Sequence, residues 1–250
     1  MSDYQFDTDQ VTQHIVKYSA GVRPVLDMHA DRSILQDYGN WLITEFGQWF
    51  ETLIYSPQGL QINKQFLLPD GKNAQIVTFS ATPRGLMFTL PKRIFVGQPH
   101  DVDPDDSDAM VRQLLEGLGD RFAERMMTRL EAVHELVFDT GQTPSIEILN
   151  GFFSYPVWQE SIRDARIMLQ RPVDDRMMSI EIRPTFLTVA GKPQTVPADK
   201  ARFGIMVHAG VSVLQSETGV GLDDIESLLV YGDQFWQTDL PDFLNGQGRV

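Results

Sequence analysis

The chain contains no cysteine among its 250 residues. Disulfide bonds, thiolate metal sites and cysteine nucleophiles are therefore excluded. Stability must come from packing, and an apolar content of 42% is enough to fill the core of one large domain or two modest ones.

Long apolar runs are also lacking. No stretch reaches the roughly 18 consecutive apolar residues that a membrane-spanning helix needs. Residues 1–10 are acidic, whereas a secretory signal peptide begins with basic residues and continues with apolar ones. We therefore expect a globular protein without a membrane partner that is made, and at least initially kept, in the cytosol.

Basic residues are comparatively few. The chain has 21 lysines and arginines against 34 aspartates and glutamates, which gives a formal net charge of −13. A phosphate backbone is repelled by such a chain on average, so nucleic-acid binding would need a local basic patch. The nearest approach to a patch is a group of arginines interleaved with aspartates: Arg163, Asp164, Arg166, Arg171, Asp174, Asp175 and Arg176. We expect no nucleic-acid partner.

The longest helical pattern covers residues 106–138. Apolar side chains recur there every three or four positions, at Val111, Leu114, Leu118, Phe122, Met126, Leu130, Val133 and Val137. The spacing predicts one long central helix. Gly117 and Gly119 are each about 1 kcal/mol less favourable than alanine in a helix, which leaves open a kink or break there as well as a continuous helix.

The residues before this helix predict an aromatic helix and a meander. A stripe from Ile34 to Leu53 predicts a helix of about six turns that the sequence Ser56-Pro57-Gln58-Gly59 ends. Strands are predicted at residues 60–68, 74–81 and 86–96, with a hairpin favoured by Asp70-Gly71. Residues 1–30 fit either a strand or a helical turn.

A turn at residues 140–144 marks the clearest boundary in the chain. Beyond it, apolar spacing predicts a helix near residues 154–169. Strict alternation predicts strands at residues 178–189 and 201–215. A helix from Asp223 or Asp224 to Phe235 follows, and residues 238–250 are predicted to form a tail.

These patterns predict an α+β fold with two lobes, each a short, mostly antiparallel sheet packed on helices. Residues 1–140 form the N-terminal lobe, with its helix, three-strand meander and long helix, and residues 141–250 form the C-terminal lobe with a polar tail. Short matches relate the halves, such as Gly85-Leu86-Met87-Phe88 with Gly204-Ile205-Met206-Val207. Coincidence and an old duplication both explain them.

Motifs for metal and phosphate binding are incomplete. The acidic segment that begins at His100, Asp101 and Asp103 has oxygens at alternate positions, but a calcium loop needs a glycine at Asp106 and a glutamate at Arg112. Gly219-Val220-Gly221 lacks the third glycine or the lysine of a phosphate-binding loop.

Catalytic motifs are incomplete as well. His134-Glu135 matches the start of a zinc-protease motif, but Phe138 stands where its second histidine is needed. No spacing forces the five histidines together, and His208 is predicted on the polar face of its strand. We assign no catalytic, cofactor-binding or metal-binding residue. The aromatic stripe with Trp41 and Phe46 is interpreted as core, with a partner-binding groove as the alternative.

One pattern resembles a known family. The sequence from Arg202 to Val207, a strand to Gln215, Gly219-Val220-Gly221 and a helix ending in Phe235 resemble the C-terminal half of small bacteriophage tail-terminator and neck proteins. The resemblance covers about residues 179–236. It implies an α+β fold, rings that cap a tail tube, a place in the virion, and no catalytic residues.

Three functions follow from the sequence. The first is a non-enzymatic structural or assembly subunit, homo- or hetero-oligomeric, of a phage tail, neck or related contractile particle. The second is an adaptor or chaperone-like protein that holds a partner segment against a sheet edge or the aromatic groove. The third is an enzyme with an unrecognised carboxylate and histidine site, for which His100, Asp101 and Asp103 are the first candidates.

Overall fold

Nine strands lie within the described part of the chain. A computed structural model describes residues 5–7, 11–67, 74–91, 104–121, 126–141, 143–152, 165–173, 176–187, 203–213 and 222–246. The strands are β1 (Val11–Arg23), β2 (Thr52–Ser56), β3 (Gly59–Leu67), β4 (Ala74–Thr82), β5 (Gly85–Pro91), β6 (Met126–Gly141), β7 (Ile167–Val173), β8 (Arg176–Phe186) and β9 (Phe203–Val213).

All nine strands belong to one sheet, in the order β2-β3-β4-β5-β1-β6-β9-β8-β7, and every neighbouring pair is antiparallel. The predicted arrangement of two lobes with separate short sheets is therefore wrong. The halves are joined by the pairing of β1 with β6, which runs from Val11 opposite Phe138 to Arg23 opposite Met126. This long central pair makes the sheet continuous.

The helices lie on one side of this sheet. They are α1 (Arg32–Glu45), α2 (Pro104–Arg121), α3 (Ser145–Asn150), α4 (Leu222–Gln234) and α5 (Leu240–Leu244), with a π-helical turn (Phe235–Asp239) between the last two. Each helix contributes buried residues to the same apolar cluster as alternate residues of the strands. Alternation along each strand puts the buried apolar side chains toward the helices, and the opposite face carries polar side chains together with exposed apolar ones such as Ile54, Ile76 and Met168.

The long central helix predicted for residues 106–138 is also wrong. Helix α2 ends at Arg121, and Met126 begins β6. The segment fits both periodicities: Leu130, Val133 and Val137 have helical spacing, whereas Leu130, Ala132, Leu136 and Phe138 alternate along one face of a strand and are buried. The segment forms a strand and not a helix because it pairs with β1 on one side and with β9 on the other.

Helix α2 continues through Gly117, where the sequence leaves a kink or break open. A Cβ atom on Gly117 would lie 2.5 Å from a ring carbon of Trp41. The glycine therefore allows α1 and α2 to approach closely, and this contact offsets its poor helix propensity.

The predicted strands are confirmed, whereas the predicted aromatic helix is too long. The strands predicted at residues 60–68, 74–81 and 86–96 are found as β3, β4 and β5, and those at 178–189 and 201–215 as β8 and β9, over the described residues. The helix predicted for residues 31–53 ends at Glu45, and Ser56-Pro57-Gln58-Gly59 forms the β2–β3 turn instead. Residues 1–30, for which the sequence leaves strand and helical turn open, contain β1.

Two predictions for the C-terminal half are wrong in part. Of the helix expected near residues 154–169, the residues up to 164 lie outside the described residues, and residues 167–169 belong to β7 instead. The expected tail contains α5, whose Leu240 and Leu244 are buried. Asn245 then pairs with the other end of the chain: Phe6 N donates to its Oδ1 at 2.7 Å, and its Nδ2 donates to Phe6 O at 2.9 Å.

The two halves repeat one topology. Each has a long strand, a helix, an antiparallel meander whose last strand pairs with the first strand, and a second helix. In this repeat β1 corresponds to β6, β5 to β9 and α2 to α4, and β2 is extra. The matched sequences at Gly85 and Gly204 lie on the corresponding strands β5 and β9.

Candidate functional site

The sheet face opposite the helices carries a row of charged side chains across its central strands. Lys17 on β1 donates from Nζ to Glu135 Oε2 on β6 at 2.7 Å. The same oxygen lies 3.3 Å from His208 Nε2 on β9. His208 is opposite Glu181 on β8, and Glu181 Oε1 is 3.8 Å from Nη1 of Arg166, the residue before β7. The row alternates between basic and acidic groups from the centre of the sheet to the start of β7.

His208 is the group in this row with a clearly shifted pKa. Burial is the largest cause and lowers the pKa of its imidazole, as do the charges of Arg183 and Lys17, while Glu135 and Glu181 raise it. Its Nε2 atom is buried and has no hydrogen bond within the described part of the chain, since Glu135 Oε2 is near but not in hydrogen-bonding geometry. Burial therefore favours the neutral form of the ring.

Short polar side chains are the neighbours of this row. Ser19, Ser179 and Ser212 lie on the same face as short polar side chains, and Ser212 Oγ is 3.5 Å from the carbonyl oxygen of Met177. A cavity of about 330 Å³ lies elsewhere, at the β2–β3 turn, and is lined by Met28, His29, Arg32, Tyr55, Ser56 and Pro57. Strands β3, β4 and β5 separate it from the row.

Besides the charged row, two histidines form a polar pair on the buried face of the central strands. His14 on β1 and His134 on β6 are 6% and 2% exposed, and His14 Nε2 is 3.0 Å from His134 Nδ1. This distance and the ring geometry fit a hydrogen bond in which one nitrogen donates and the other accepts. The sequence did not predict that any two histidines meet, because 120 positions separate these two.

The row ends at an outer strand whose second side has no strand neighbour within the described residues. Pro172 is opposite Met177 on β8 and has no N–H group, so it cannot exchange a pair of hydrogen bonds with Met177. Because hydrogen-bonded and non-hydrogen-bonded pairs alternate along antiparallel strands, the residues of β7 that bond to β8 are those on either side of Pro172 and, from there toward the start of β7, every second residue. The backbone N–H and C=O groups of Met168 and Gln170 therefore point away from β8. Met168 and Leu169 are also 50% and 43% exposed, which makes this edge both apolar and able to form hydrogen bonds.

The residues singled out from the sequence are placed as follows. His100, Asp101 and Asp103 lie outside the described residues. His134 and Glu135 are neighbours on β6 and point to opposite faces, and His208 lies on the polar face, as predicted. The aromatic stripe is core, as interpreted: Phe46, Trp49 and Phe50 are buried, and Trp41 is half-buried against them.

The described ranges contain no group of three or more histidine, aspartate or glutamate side chains arranged to hold a metal ion. None of their helices is long and apolar enough to cross a membrane.

Comparison with known proteins adds no assignment. No protein-family model matches the chain, and no curated protein matches it either.

Proposed function

We propose that this chain is a non-enzymatic structural or assembly subunit that binds other protein subunits through its sheet. The observation that carries the proposal is the outer strand β7, which combines outward-pointing backbone groups with exposed Met168 and Leu169. A strand added to such an edge gains main-chain hydrogen bonds and buries apolar side chains at once.

The charged row extends this binding surface onto the adjoining sheet face. Arg166 precedes the outer strand β7, Glu181 lies on the adjoining β8, and Glu135 and Lys17 continue the row toward the centre. Charged groups of both signs on a surface give a partner specificity and orientation more than they give affinity. The edge supplies affinity and the row supplies register.

The resemblance to tail-terminator and neck proteins supports the role of an assembly subunit and suggests a phage particle as the assembly. It implies a subunit that is made in the cytoplasm and then enters a virion. The adaptor function uses the same edge and differs only in its occupant, which is a segment of another protein.

The solution mass of the purified, untagged chain tests this proposal. We expect sedimentation over a wide range of protein and salt concentrations to show species heavier than the single chain of 28.4 kDa. Met168→Lys is expected to reduce these species, because a lysine on an edge strand opposes pairing.

Val230→Lys is the matched control. Val230 is an exposed apolar residue of α4, 59% exposed and away from the edge, so the same substitution should leave the mass distribution unchanged. A single chain at every concentration, with wild-type and both variants alike, would refute the self-assembling subunit and leave an adaptor that binds a different protein.

A further inference from the structure

We propose that copies of this chain join head to tail, with β7 of one copy pairing with β2 of the next. This inference rests on the proposed function and names the partner of the β7 edge as a second copy of the same chain. The nine-stranded sheet would then continue from copy to copy.

The two outer strands match in length and in exposed apolar residues. Strand β2 has five residues, and Pro172 limits the part of β7 with regular edge groups to residues 167–171, also five. Ile54 on β2 is 49% exposed, similar to Met168 on β7. Ile54 is paired with Gln61 and Met168 with Glu181, which puts both side chains on the sheet face away from the helices.

Direction and charge fit a head-to-tail contact. Because nine strands alternate in direction, the outer two run the same way, and a copy with its helices on the same side pairs β7 with β2 in parallel. With Met168 beside Ile54, Arg166 lies beside Thr52, the residue after the exposed Glu51. The start of one edge therefore carries a basic residue and the start of the other an acidic residue one position away in this register.

A two-fold contact between two β7 strands fits less well. Strand β7 is flanked by Arg166 and contains Arg171, both exposed, so antiparallel pairing of two copies would bring four arginines to one junction. Like charges across a strand pair are destabilising. A head-to-tail contact uses two different surfaces and generates a ring or a filament, whereas a two-fold contact stops at a dimer.

Mixing two variants distinguishes these contacts. Met168→Lys blocks β7 and leaves β2 intact, and Ile54→Lys blocks β2 and leaves β7 intact. Each variant alone should sediment as a single chain, because every head-to-tail junction needs one intact edge of each kind. An equimolar mixture should form one junction and sediment at twice the mass of the chain.

Two results would overturn the inference. If Ile54→Lys alone forms dimers while Met168→Lys does not, the contact is two-fold through β7, and the proposed self-assembling subunit survives. If wild-type protein sediments as a single chain throughout, both the head-to-tail contact and self-assembly are refuted. Circular dichroism establishes that each variant is folded, and Gln170→Pro, which removes an outward N–H group from β7, replaces Met168→Lys if that variant does not fold.

Discussion

At the scale of single residues, the pair of His14 and His134 is the most unusual feature of the core. Two polar rings lie among the apolar residues of the central strands and hydrogen-bond to each other at 3.0 Å. A buried hydrogen bond contributes little in net terms, but a buried polar group that loses its partner is costly. The pair is therefore coupled: the role of each ring depends on the presence of the other.

Replacing these histidines one at a time and together measures the coupling. His14→Leu and His134→Leu should each lower the free energy of unfolding by about 1–3 kcal/mol, since the remaining ring loses this hydrogen bond. The double variant should lose less than the sum of the two. Urea unfolding at neutral pH gives the three values, and strictly additive losses would show that the rings do not interact.

His208 makes stability depend on pH. Burial lowers the pKa of this imidazole in the folded state, with Arg183 and Lys17 lowering it and Glu135 and Glu181 raising it. The unfolded chain, with an ordinary histidine pKa near 6.5, therefore binds more protons, and the free energy of unfolding falls as pH falls through that value. This loss levels off below the folded-state pKa.

Urea unfolding of His208→Gln at several pH values between neutral and mildly acidic tests this assignment. The decrease of stability with acid should be smaller than in wild-type protein, because the substituted side chain does not titrate. His29→Gln, at an exposed histidine, is the matched control for the substitution itself. If the free energy of unfolding changes equally with pH in His208→Gln and in wild-type protein, the assignment is contradicted.

At the scale of elements, the contact between α1 and α2 explains a glycine within a helix. Alanine is about 1 kcal/mol more favourable than glycine in a helix interior, so Gly117→Ala would stabilise an isolated helix. Here the added Cβ would lie 2.5 Å from the Trp41 ring, so we expect the substitution to lower the melting temperature instead.

A smaller ring at the contact provides the control. In Trp41→Phe the ring atoms nearest to Gly117 are absent, so adding Gly117→Ala to this variant should cost less than adding it to wild-type protein. Thermal unfolding of the four proteins gives the comparison. A stabilising effect of Gly117→Ala on its own would mean that the helices do not approach this closely.

The elements also show where sequence patterns succeed and where they do not. Strands β3, β4 and β9 could be predicted because alternation and turn residues agree locally. Residues 126–138 could not, because their apolar positions satisfy both helical and strand spacing, and the choice depends on β1 and β9, which are distant in sequence. The same holds for the candidate site. Alternation within β9 is enough to predict that His208 lies on the polar face, but its neighbours Lys17 and Glu135 come from strands that are distant in sequence.

At the scale of the whole molecule, the pairing of β1 with β6 joins the two halves into one sheet. The repeated topology divides the chain into two similar units, but the strand that starts each unit is paired along its length with the other. Separating the units would expose the buried faces of both strands and break the hydrogen bonds of the whole pair. The bond between Phe6 and Asn245 adds a second link, between the ends of the chain.

This continuity predicts a single unfolding transition. In scanning calorimetry, the calorimetric and van't Hoff enthalpies should agree, because neither half retains its sheet when the other unfolds. Val16→Asp places a charge at a fully buried position of the central pair, and should lower the melting temperature of the entire transition without dividing it. Two separate transitions, with only one moved by the substitution, would instead show that residues 1–140 and 141–250 unfold as independent lobes in spite of the shared sheet.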